Sequence, residues 1–408
     1  MTEFPVRRNT LLLSGVLICL SGTLQLVVAV ATTTLVLVTG IEGILGLGPA
    51  IFLTTAALAA FPAGRLMDKH GRVPVLAVGC LVGTVATSLT ALGCLWDSAA
   101  LVVLGFALVG VSNGTVLLAR AAAADMVPPE RRPRQISLVL SGAVVGAVLG
   151  PFVFGPLFAG KHLDTHDLVV PWLAAGGFMI VALGLVLCVR PDPKVIARAI
   201  APAGTHTAGP RTPLGETLRR PGVGTALLAA VASFAVMVSV MNLTGYVMTG
   251  HGHSQHDVFP VISAHILGMY GLVLFVGDII ERIGRRESLI AGLGIMGAST
   301  LGLVWAESVV ATGVVLFGLG LGWCLSYVSA TSTLVDLAPA NERVQLVGFS
   351  DLLSGLAGAA LALLGGYAYS VQGVTSLAVG AAVLSLAPAL WLGFSRRPGR
   401  EIEAASGA

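Results

Sequence analysis

Long apolar runs, broken by short charged turns, recur along the whole chain. Twelve are read, at about residues 10–39, 47–66, 73–95, 99–121, 135–158, 169–189, 222–248, 258–280, 288–305, 309–334, 344–369 and 374–394. Each is close to or beyond the roughly 20 residues that let an α-helix cross the apolar core of a bilayer. None shows the alternation over about 10 residues that marks a barrel strand. The pattern predicts an all-α membrane protein with twelve transmembrane helices. A polar stretch at 190–221, rich in Pro, Gly, Thr and Ala, separates the sixth run from the seventh. It divides the chain into a six-helix lobe (1–189), a central loop (190–221) and a second six-helix lobe with a short polar tail (222–408).

The two lobes repeat each other. Gly64-Arg-Leu-Met-Asp68-Lys-His-Gly71-Arg72 follows the second run, and Gly277-Asp-Ile-Ile-Glu281-Arg-Ile-Gly284-Arg285 follows the eighth. Ser141-Gly142 and Ser354-Gly355 keep the same spacing between copies. A parallel repeat of two six-helix units is an arrangement used by two-lobed transporters. The glycines permit tight turns. Asp68 is expected to pair with basic residues and with a helix N-terminus across the lobes.

Composition sharpens this picture. The 408 residues are 55% hydrophobic and 11% charged, against about 25% charged in soluble domains. A net charge of +3 gives no basis for binding nucleic acid. Its placement is informative: with the N-terminus inside, Arg7, Arg8, Lys69, Arg72, Arg131, Arg132, Arg134, the central loop, Arg282, Arg285, Arg286, Arg343 and the tail arginines fall on one side, and only Lys161 falls on the other. That distribution predicts a multi-pass protein of the cytoplasmic membrane with both termini in the cytoplasm, in contact with lipid. Trp96, Trp172 and Trp305 are expected near the outer interface and Trp391 near the inner one. Cys19, Cys80, Cys94, Cys188 and Cys324 stand singly in or beside apolar runs and read as small buried residues rather than a disulfide framework or zinc site. No nucleophile–base pair, phosphate loop or closed ligand set appears in the polar segments, so neither an enzyme nor a prosthetic group is expected.

The stretch from Met237 to Met269 carries the most specific chemistry. Met237 and Met241 lie four residues apart on the seventh run, His265 and Met269 four apart on the eighth, so each pair shares a helix face. Met241 and His265 fall roughly 10 Å from one end of their helices, and Met237 and Met269 roughly 16 Å, near mid-membrane. Thioether sulfur and imidazole suit a soft cation such as Cu(I). Met248 continues the outward face, and His251, His253 and His256 in the loop between the two runs can capture or relay an ion. An ionisable residue within a span marks function by default. For His265 that function is metal ligation, proton carriage or hydrogen bonding to an organic cargo, and methionine pairs also serve as packing. Asn113, Asn242 and Asp351 can line a cavity or bond within the bundle.

The loop GRLMDKHGR, its copy in the second lobe, and Gly142, Gly146, Gly150 and Pro151 resemble signatures of the major facilitator superfamily. The resemblance implies a latch at Gly64, Asp68, Gly71, Arg72, Gly277, Glu281, Gly284 and Arg285. The MxxxM and HxxxM pairs, with NGTVLLARAAAADMVPPERR after residue 112, resemble the CcoA-like copper importers within that superfamily. That likeness implies Met237, Met241, His265 and Met269 as copper-binding residues. It also implies copper as transported substrate, import by alternating access, delivery to a cytoplasmic copper chaperone, and supply of copper for cytochrome oxidase assembly. A related group carries riboflavin, so import of riboflavin or another small organic molecule, or a multidrug-type export, is the alternative.

Overall fold

The computed structural model describes residues 4–128, 131–159, 163–200, 213–272, 275–339 and 342–394. Lys161, residues 201–212 of the central loop and the tail arginines lie outside them. The described residues form helices and no strands. The first half contains α1 (Val6–Thr39), α2 (Leu47–His70), α3 (Arg72–Leu95), α4 (Ala99–Val116), α5 (Ala119–Ala124), α6 (Arg132–Phe158) and α7 (Val169–Leu187). Short α8 (Pro193–Ile200) and α9 (Leu214–Leu218) lie in the connecting segment. The second half contains α10 (Val223–Gly250), α11 (Gln255–Tyr270), α12 (Val276–Ile283), α13 (Arg285–Gly302), α14 (Val309–Leu337), α15 (Arg343–Gln372) and α16 (Val374–Phe394).

Among the described residues, ten segments are long and apolar enough to cross a membrane. The eighth and ninth expected spans fall short for local reasons. The eighth breaks after Tyr270, where Gly268 and Gly271 weaken the helix, and resumes as α12. The ninth, α13, opens on Arg285, Arg286 and Glu287. The fourth span is also interrupted, between α4 and α5.

Packing separates the halves and then joins them. α1 packs on α6 and α7, α3 on α4 and α7, and α2 on α4. α14 packs on α11, α13 and α10, α10 on α15, and α13 on α16. Across the halves, α1 meets α10, α6 meets α11, and α2 meets α15. We call the end that carries Arg72 and Arg285 the basic side. The cross-half hydrogen bonds among the described residues lie away from it: Gln25 Nε2 donates to Ser263 Oγ (3.2 Å), Ser263 to the Ala147 carbonyl (2.7 Å), Thr32 to the Asn242 carbonyl (3.3 Å) and Gln255 to the Ala29 carbonyl (2.8 Å). Gly46 and Gly366 add a backbone-to-backbone approach there with no room for a Cβ on either. The halves are thus sealed at the side opposite the basic one.

Two expectations need correction. Trp96, Trp305 and Trp391 are exposed, as interfacial residues are, but Trp172 is fully buried against Phe106, ring centroids 5.6 Å apart. Cys188, just past the end of α7, is exposed, whereas the other four cysteines are buried.

Candidate transport site

His265 is completely buried in α11. Its Nδ1 lies 2.8 Å from the Leu316 carbonyl oxygen of α14. A carbonyl only accepts, so Nδ1 carries the proton and Nε2 holds the lone pair. Nε2 is buried without a hydrogen-bond partner. Met237, Met248 and Met269 are buried and Met241 partly buried, all in one apolar cluster with many core residues. The two motif faces both address α14. Ser233, one turn before Met237 on the same face, shares a 2.6 Å hydrogen bond with Ser326 of α14. Gly320 of α14 lies against the backbone of His265 and Met269. Direct packing of α10 on α11 is minor beside these contacts. Among the described residues no group of three or more His, Cys, Asp or Glu side chains is placed to hold a metal ion.

Two of the loop histidines touch the scaffold near them. His253 Nε2 lies 2.7 Å from the Glu307 carbonyl, and the His256 ring covers Gly155 of α6, with Asp257 3.8 Å from its Nδ1. His251 is exposed.

A second group of side chains sits nearer the basic side. Trp323 and Tyr327 of α14 stack with centroids 5.1 Å apart and planes at 15°. Tyr270, the last residue of α11, meets Trp323 edge-on at 6.1 Å, and Phe234 of α10 meets Tyr327 at 6.0 Å. The Tyr327 hydroxyl donates to the Asp351 carboxylate on α15. Tyr270 also packs against the core cluster of the first half, so the aromatic wall stands where the halves meet. Arg120 of α5, from the first half, lies close enough for its charge to act on Tyr270 and Tyr327. Phe234, Tyr270, Tyr327, Asp351 and Arg120 are each only half-buried. The indole Nε1 of Trp323 has no partner. By helix rise, Tyr327 lies about 15 Å and Asp351 about 12 Å from the basic ends of their helices, near the middle of a bilayer core. Flat rings, a free indole donor and two opposite charges can hold a planar molecule with polar edges.

Sequence reasoning picked out Asp351 in this group and missed the rest. Arg120 carried a usable signal, a charge inside the apolar run 99–121. The aromatics carried none, because nothing in their spacing says that they meet.

The repeated loops are built alike and wired differently. Gly71 and Gly284 have φ of 106° and 99°, a region that side-chain-bearing residues avoid, and each turns one helix into the next. Arg72 bonds Asp68 (2.7 Å) and Asp125 (2.8 Å). Burial pushes the Asp125 carboxyl above its ordinary value, against the pull of Arg72. The carboxylate at the N-terminus of α3 is that of Asp192, which accepts from the Arg72 and Val73 amides (3.1 and 2.8 Å). Asp68 itself is mostly exposed and pairs within its own half. In the second copy Arg285 pairs with Asp336, while Gly277 and Glu281 are exposed. Gly64 is half-buried with open space around it.

The geometry can be set beside known proteins. The chain is 29% identical over 358 residues to the uncharacterized MFS-type transporter YdeG of Bacillus subtilis (strain 168), covering 85% of this chain and 82% of that one. It is 31% identical over 308 residues to the riboflavin transporter RfnT of Brucella anthropi, covering 74% of each. The multidrug resistance protein MdtH of Proteus mirabilis is 24% identical over 76% of this chain and 73% of its own. The fold matches the nucleoside transporter NupG with a TM-score of 0.73 at 10% identity, over 97% of this chain and all of that one. The family model of the Major Facilitator Superfamily matches residues 11–362 and again 261–408, and the chain belongs to that superfamily of membrane transporters.

Proposed function

We propose that this transporter imports a small, flat, ring-bearing organic molecule across the cytoplasmic membrane by alternating access. The observation that carries the reading is the aromatic wall of Tyr270, Trp323, Tyr327 and Phe234, set between the halves at mid-membrane depth with an unpartnered indole N–H. Similarity to a riboflavin transporter supports a planar heteroaromatic cargo. The lysine and arginine distribution supports a cytoplasmic basic side with both termini there. On that orientation the described conformation is closed to the outside and accepts or releases cargo on the inside.

The second reading is copper import through Met237, Met241, His265 and Met269, with Met248, His251, His253 and His256 as capture residues. It is favoured by the His265 ring, whose Nδ1 is oriented by a carbonyl and whose Nε2 is free, the arrangement typical of a metal-ligating imidazole. Copper then enters as substrate and passes to a cytoplasmic chaperone for oxidase assembly. The first reading ranks higher because the aromatic wall lies between the halves, whereas the motif faces turn into the second half.

Both are tested by measuring uptake of radiolabelled riboflavin and of copper in the same cells, with wild type, Trp323→Leu and His265→Leu at matched membrane levels. Riboflavin uptake lost in Trp323→Leu and kept in His265→Leu supports the first reading. Copper uptake lost in His265→Leu and kept in Trp323→Leu replaces it with the second.

A further inference from the structure

The chain enters α1 and leaves α7 at one corner of the basic side. Arg8, in the first turn of α1, donates through Nη2 to the carbonyls of Cys188 (3.2 Å) and Arg190 (2.9 Å), and Asn9 Nδ2 donates to the Pro191 carbonyl (3.3 Å). A cavity of about 420 Å³ lies in this corner, lined by Arg8, Leu12, Leu187, Cys188 and Arg190. That is within the range of small-molecule sites, about 300–1,000 Å³. Arg8, Leu187, Cys188 and Arg190 are exposed and Leu12 is half-buried. Among the described residues the Arg190 guanidinium has no hydrogen bond or ion pair, and Arg8 engages only its Nη2. Two cations therefore line the cavity with donors to spare. No carboxylate lines it. Asp192, two residues beyond Arg190, accepts instead from the Arg72, Val73 and Lys194 amides. By helix rise Leu12 lies roughly 6 Å deeper in the membrane than Arg8, so the cavity is basic at its mouth and apolar further in. α6 and α7 both pack on α1 but barely on each other, and Leu11, next to the lining residue Leu12, is exposed. The segment after Arg190 keeps the same character. α8 buries Ile196 and exposes Val195, Arg198 and Ile200, a mixture suited to the membrane surface.

We infer that this corner binds one anionic phospholipid, its phosphate on Arg8 and Arg190 and its acyl chains over Leu12 and Leu187. A guanidinium suits a phosphate because its planar fork meets two oxygens at once. Basic pockets at the ends of spanning helices take such headgroups. The two kinds of wall select the ligand together. Free phosphate would use the arginines and gain nothing from the leucines. A zwitterionic lipid would use the leucines but bring an ammonium group towards the arginines. An anionic lipid satisfies both. Once bound, it neutralises two like charges and ties the start of the connecting segment to the membrane.

The test needs no cargo. The full chain is placed in nanodiscs of phosphatidylglycerol and phosphatidylcholine in equal amounts, and the lipid it retains is identified by native mass spectrometry. Wild type is expected to retain phosphatidylglycerol over phosphatidylcholine by about 25-fold, at about fivefold for each arginine. In Arg190→Gln the preference is expected to fall to about fivefold. The Arg190 side chain has no partner among the described residues, so this variant is expected to keep the wild-type melting temperature. Arg198→Gln removes the same charge outside the cavity and is expected to keep the full preference. Cys188 supplies the location, because it is exposed while the other four cysteines are buried. Phosphatidylglycerol is expected to slow its reaction with N-ethylmaleimide in wild type, and to slow it much less in Arg190→Gln. Equal retention of the two lipids by wild type overturns the inference, as does an equal fall in Arg190→Gln and Arg198→Gln. Labelling slowed as much by inorganic phosphate in phosphatidylcholine nanodiscs overturns the lipid as occupant.

Discussion

A single stripe of α14 runs through Leu316, Gly320, Trp323 and Tyr327, spaced four, three and four residues apart and therefore on one face. Its first half is roofed by α11, with His265 on Leu316 and the α11 backbone on Gly320. α11 stops at Tyr270, which still covers the edge of Trp323, and beyond it the stripe reaches half-buried Tyr327. Leu316 is wholly buried, whereas Tyr327 is only half-buried. The difference between the two candidate sites is therefore the break in the eighth span. The same helix face is core above it and the proposed cargo wall below it, and broken helices recur at binding sites in transporters.

Trp323→Leu removes a stacking surface worth about 1–3 kcal/mol per ring, so the riboflavin Kd is expected to rise about tenfold, read by flavin fluorescence quenching. His265→Leu is expected to leave that Kd within about twofold; the reverse pattern would move the cargo site up under the roof. Next comes the roof itself. Gly268 lies against the Phe317 backbone of α14, so Gly268→Leu is expected to cost about 1–3 kcal/mol and lower the melting temperature in detergent. The signature loops give smaller effects. Asp125→Asn takes a charged partner from partly buried Arg72 and is expected to cost about 1.5–3 kcal/mol. Asp336→Asn, at a pair about half exposed on both sides, should cost about 0–1 kcal/mol and less at high salt. Equal shifts for the two aspartates in a thermal melt would mean that the repeated loops are energetically alike despite their wiring.

The fold was legible because each of its rules acts over short range. Span length and hydropathy mark most of the helices, and the 213-residue offset between Gly71 and Gly284 reveals the repeat. The breaks after Val116 and Tyr270 were not legible, since an apolar run looks continuous whether or not its hydrogen-bond ladder is. The pairs Met237/Met241 and His265/Met269 were visible because residues four apart must share a face. Which neighbour that face meets depends on helix rotation, and rotation is set by contacts such as Ser233 with Ser326 and Gly320 with Met269, far apart in the chain. The aromatic wall draws on α10, α11 and α14, so no local pattern announces it.

The approach of Gly46 to Gly366 has a consequence for anyone who wants to see the protein in its other state. A methyl group at Gly46 would fall on the backbone of Ala362 and Leu363. Gly46→Ala would act as a doorstop, wedging the sealed end ajar and moving the resting population toward the opposite opening without touching the aromatic wall. Two hydrogen atoms, one on each glycine, are the thickness of the bolt.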